Sequence, residues 1–214
     1  MLLAAGSAQA DSFVPLPQAT GASKHLKVRF VEYRGGTNGQ MVIQVKNTSK
    51  SARTFRAEGM FFVPMGDAEK APQRLGAAGQ FLEMATSGKE SHKSQTKLAP
   101  GQTKELRLEV FCIDSHRSSP STSTKFRIAK KVLPKKLRQE LSKGARSIVR
   151  SNKGKFSASK SAIQSHMWKT RNKKWVALEG ERVDEKSAKK QRLSPMEQRR
   201  RPFRNKRQMR QVIK

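Results

Sequence analysis

An α+β chain is predicted: an immunoglobulin-like antiparallel β-sandwich, then a small helical subdomain and a disordered basic tail. Three observations predict it. Short strand-like runs separated by turn residues occupy positions 25–130. A helical period appears only after them. The last thirty residues are rich in lysine and arginine and poor in apolar side chains. The expected segments are a signal-peptide remnant at 1–10, a flexible leader at 11–24, the sandwich at 25–130, helices at 131–184 and the tail at 185–214.

The first ten residues run from an apolar stretch into Ala8-Gln9-Ala10, the small-x-small pattern of a signal-peptidase site. They predict export, with Asp11 opening the mature chain and a secreted, periplasmic or cell-envelope location. An ordinary N-terminus of a cytoplasmic protein is the alternative. Pro15 and Pro17 among small residues give the leader its character.

Regular structure is expected from His25. His25 to Tyr33 alternates in period two, the glycine-rich stretch 35–39 turns, and Met41 to Lys46 resumes the alternation, which predicts a hairpin. After the Asn47-Thr48-Ser49 turn, Arg53 to Met65 reads as one strand bent at Gly59. Between Gly66 and Lys97 the pattern weakens to one apolar piece at Phe81-Leu82-Glu83-Met84. Pro100-Gly101 then introduces a strand ending at Cys112, and Thr124 to Ile128 reads as the last one.

From there the period changes. Leu133, Leu137, Leu141, Ala145 and Ile148 recur about once per turn, so Pro134 to Val149 is predicted as an amphipathic helix with cations on its other faces. Ser157 or Ser159 is expected to cap a second helix running through Ala162, Ile163, Met167 and Trp168.

The net charge of +30 points to an anionic partner, a cell-envelope polymer or surface or a nucleic acid. The tail cations Lys189, Lys190, Arg192, Arg199, Arg200, Arg201, Arg204, Lys206, Arg207 and Arg210 are the expected contacts. Their binding would be salt-sensitive and indifferent to sequence. Phe203 alone is too little for a base-stacking platform. No segment approaches the ~20 apolar residues of a membrane span.

One cysteine, Cys112, excludes an internal disulfide and a cysteine-rich zinc site. The four histidines, His25, His92, His116 and His166, are too dispersed to suggest a metal site, and no cofactor is expected. No nucleophile-elbow or phosphate-loop pattern occurs, and sequence neighbours such as Cys112, Asp114 and His116 at a strand end seldom form a catalytic pair, so enzyme activity is not expected.

The strand ending Phe111-Cys112-Ile113-Asp114 and the later Ile163-Gln164-Ser165-His166-Met167-Trp168 together resemble bacterial surface thioester domains. Those carry an aromatic-Cys-aliphatic strand end and a Thr-Gln-x-x-aliphatic-Trp helix. Here Ile163 stands where they have threonine. The chain also resembles a group of secreted, planctomycete-like bacterial proteins with a Cys-Leu-Glu-His-Gly-like box and an Ala-Gln-Ala-Ala-Trp-like helix followed by a second tryptophan. On that resemblance Cys112, Asp114, His116, Pro120, Gln164, Trp168 and Trp175 are the matching positions. It covers roughly residues 25–180 and implies a compartment and a fold. Two readings of Cys112 stay open: a thioester to Gln164, formed with loss of ammonia as in a covalent adhesin, or a buried thiol with Gln164 as a helix residue or hydrogen-bond partner.

Overall fold

The computed structural model describes residues 12–17, 21–35, 39–84, 90–173 and 176–182. Strands come first: β1 (Val14–Pro15), β2 (Leu26–Arg34), β3 (Gln40–Asn47), β4 (Arg53–Phe55), β5 (Phe61–Pro64), β6 (Leu75–Met84), β7 (Glu90–Lys93), β8 (Thr96–Leu98), β9 (Thr103–Cys112) and β10 (Phe126–Ile128). Among the described residues two α-helices follow, α1 (Lys135–Ser151) and α2 (Phe156–Lys173). The chain is therefore α+β, mostly antiparallel sheet with a helix pair after it.

Eight strands join one antiparallel sheet in the order β1-β2-β3-β9-β6-β5-β10, with β7 on the same edge of β6 that β5 begins. The sheet curls. Phe126 near one end lies 5.3 Å from Tyr33 and 6.3 Å from Phe30 near the other, ring centroid to ring centroid. Two halves of one sheet thus face each other as the layers of a sandwich would. Their shared interior holds Leu26, Val28, Met41, Ile43, Val45, Phe62, Phe81, Leu106, Leu108, Val110 and Cys112. A two-stranded β4–β8 sheet adds Phe55 and Leu98 to this core.

Alternation along β9 explains how one strand serves two cores. Leu106, Leu108, Val110 and Cys112 point inward, while Phe111 and Ile113 point outward to Leu133, Leu137, Leu141, Ile163 and Met167 of the helical layer. Burying both faces requires apolar residues in succession, which is how Val110 to Ile113 reads.

The expected β2–β3 hairpin, the strand ending at Cys112, the last strand and both helices are present. Within the stretch expected as a leader, Val14 and Pro15 pair with Val28 and Lys27, and Pro15 is tolerated there because β1 is an edge. The single bent strand expected over Arg53–Met65 is two strands, β4 and β5, in different sheets. Gly59, at φ +80°, lies in the turn between them. The stretch that reads weakly contains the ten-residue β6, paired with β9 on one side.

Neither Ser157 nor Ser159 caps α2, which begins at Phe156. Ser159 lies inside it, donating to the Lys155 carbonyl at 2.8 Å and accepting from Asn152 at 3.0 Å. The turn between the helices passes through Lys153 and Gly154, both with positive φ. Among the described residues no helix is long and apolar enough to cross a membrane. The expected signal remnant at 1–10 and basic tail at 185–214 lie outside the described residues, as does Trp175.

Candidate functional site

Cys112 and Gln164 do meet. The Gln164 side chain, buried on α2, accepts from the Cys112 backbone N–H through Oε1 at 3.0 Å and donates from Nε2 to the Cys112 carbonyl at 2.7 Å. The reason lies in the sheet. Ile113 donates its N–H to the Arg74 carbonyl on the β6 side, so Cys112, one residue earlier, turns its own polar groups toward the β3 side. There the β3 ladder has already ended at Gln40, opposite Glu109. Gln164 supplies the missing partner, and a buried N–H and C=O that would otherwise be unmet are both satisfied.

The thiol itself belongs to the inner core with Val110 and Leu108. Burial, reinforced by the nearby Asp114 charge, pushes its pKa up to about 12. At neutral pH it is a thiol and a poor nucleophile, since the thiolate is the reactive form. Gln164 meanwhile commits both polar atoms of its amide to the Cys112 backbone.

Two residues further on, Asp114 anchors a buried charged cluster. Arg74 grips it with two bonds, Nε to Oδ2 at 2.6 Å and Nη2 to Oδ1 at 2.7 Å, and adds its backbone N–H at 3.2 Å. Arg171 of α2 brings Nε to 3.9 Å, and all three side chains are fully enclosed. Burial alone would raise the Asp114 pKa. The charges of Arg74, Arg171 and Arg117 outweigh it and hold the carboxyl below its usual range.

The same arginines pin the segment that follows α2. Arg74 Nη1 donates to the Leu178 and Glu179 carbonyls at 3.3 and 3.1 Å, and Arg117 Nη2 donates to the Gly180 carbonyl at 2.9 Å. Arg182 reaches back to the Ala71 carbonyl at 2.6 Å, and Glu179 pairs with Arg127 and accepts the Lys130 N–H at 2.8 Å. Residues 178–182 are thereby fastened to the sheet directly before the basic tail.

Of the other sequence-derived positions, Trp168 is half-buried, packs toward the inner core and donates Nε1 to Gln73 at 3.2 Å. His116 is half-buried in the turn after β9. The ten tail cations and Trp175 lie outside the described residues. Sequence reasoning missed Arg74, Arg117 and Arg171. Arg74 and Arg117 sit beside apolar or small-residue stretches, where a buried guanidinium needs a carboxylate, and Asp114 is the acid ending the best strand; Arg171, among Lys169, Thr170, Asn172 and Lys173, carries no such signal.

Comparisons with protein-family models, with curated proteins and with solved structures find no match.

Proposed function

We propose that this chain is an exported, envelope-associated bacterial binding or structural protein, built on an immunoglobulin-like sandwich, whose cationic C-terminal tail attaches it to an anionic polymer or surface. The observation that carries this reading is the +30 charge on a chain with 46 lysines and arginines against 16 acids. Attachment is electrostatic, through phosphate, sulfate or carboxylate groups neutralised along the tail. The fastening of residues 178–182 supports it, because the chain is held to the folded part shortly before position 185, where the cationic segment begins in the sequence.

Within this reading Cys112 and Gln164 form a non-covalent clasp between the sheet and α2. The enclosed thiol and the fully committed amide favour that role over a thioester. A covalent adhesin is the competing account, supported by the contact between the two residues.

Titration of the full chain against heparin, RNA and duplex DNA over a series of salt concentrations tests the attachment. Binding to all three, falling steeply with salt, is the expected result. A preference for one nucleic acid beyond its charge density would favour a nucleic-acid-binding protein instead.

A further inference from the structure

The helix pair carries a cationic surface of its own. Between Lys135 and Lys173 the chain contains one acid, Glu140. The α1 residues that enter the core are Leu137, Leu141 and Ala145. At 100° per residue, Lys136, Lys143, Arg146 and Arg150 fall together on the opposite side, and all four are exposed. They form a straight row about 21 Å long at 1.5 Å per residue. Lys153, exposed in the turn after α1, extends it.

What surrounds the row narrows its partner. Every exposed residue of α1 is polar or charged, and Ile148 and Val149 pack against the helical core. α1 itself therefore offers a bilayer no exposed apolar side chain, unlike an interfacial helix, which buries an apolar face among acyl chains. α1 also holds no aromatic residue on which a base could stack. At 1.5 Å per residue the four cations stand about 4.5 to 10.5 Å apart along the axis, so one flexible strand with a charge on every repeat can meet each in turn.

Resting on the electrostatic reading above, we propose that the solvent face of α1 is a second, folded polyanion-contact surface, and that its occupant is a single, base-free phosphodiester chain of the cell envelope. The row neutralises successive phosphates along one strand. Engagement of the same polymer by the tail cations would reinforce this contact through a high effective concentration.

The test uses the full chain and poly(glycerol phosphate) as the probe. One variant replaces Lys136, Lys143, Arg146 and Arg150 by glutamine. A control replaces Lys50, Lys70, Lys97 and Lys125, which are exposed elsewhere, and removes the same charge. Circular dichroism verifies that both fold, as exposed substitutions should. The α1 variant is expected to lose at least tenfold in affinity at 0.15 M salt and to lower the salt slope by about three, while the control keeps the parent slope. If the parent binds and both variants behave alike, the α1 surface is overturned and the tail reading stands. If the parent does not bind the probe, both fail. Tighter binding per phosphate to single-stranded or duplex DNA than to the probe would overturn the assigned occupant.

Discussion

The Gln164 side chain takes the place of a strand beside Cys112, closing both polar groups of that residue where the β3 ladder has run out. Helix α2 is thereby joined to the central strand by a pair of bonds with the geometry of a sheet ladder. This joint has a measurable strength. Gln164→Leu preserves bulk but leaves a buried N–H and a buried C=O unmet, so it should cost about 2–5 kcal/mol by chemical denaturation. A loss under 1 kcal/mol would show that water or a local shift replaces the amide.

Asp114 gives the fold a defined response to acid. Its folded pKa lies below the unfolded value, so the group contributes stability that is complete above about pH 5 and is lost as pH falls through the folded pKa. Thermal melts should therefore show a falling midpoint from pH 5 to pH 3. Asp114→Asn should cost about 3–5 kcal/mol at pH 7, because Arg74 keeps its burial and loses its carboxylate, while Arg171 is left with Glu181 at 3.8 Å. The variant's melt should also depend less on pH over that range. An Asp114→Asn protein with the parent's acid profile would assign the response to other carboxylates.

Gly144 of α1 lies directly against the His166 ring of α2. A Cβ there would stand 1.9 Å from His166 Nε2, and that ring lies within 3.3 Å of the Glu140 carbonyl. On propensity alone Gly144→Ala should stabilise α1 by up to about 1 kcal/mol. The contact reverses the sign: the substitution should cost about 1–3 kcal/mol. Combining it with His166→Ala should recover most of that loss, a coupling that a double-mutant cycle reads directly.

The parts of the fold that were legible were those with strong local periodicity. β2, β3, β9 and α1 declare themselves by alternation or by one apolar residue per turn, because each buries a face whose period is written in the sequence. β6 does not. Its Gly76-Ala77-Ala78-Gly79 is small because a Cβ on Gly76 would come within 3.0 Å of Ile113 and 3.2 Å of Met167, and Gly79 takes φ +87° where the register shifts. Close packing erased the apolar signal that marks a strand. The Cys112–Gln164 contact was legible as a pairing of motifs. Its form was not, since it depends on where the β3 ladder stops. The Arg74–Asp114–Arg171 cluster joins residues far apart in the chain, and no local pattern records such a partnership.

Cys112 chemistry bears most directly on whether this is a clasp or a crosslink. Intact mass of the protein from its native host, measured before and after iodoacetamide at pH 8 with and without denaturant, decides it. The clasp predicts the full unmodified mass and a thiol that alkylates only after unfolding, as its enclosure and its pKa of about 12 require. A mass short by one ammonia, about 17 Da, with no alkylation until the bond is cleaved by a nucleophile, would contradict it and establish the thioester.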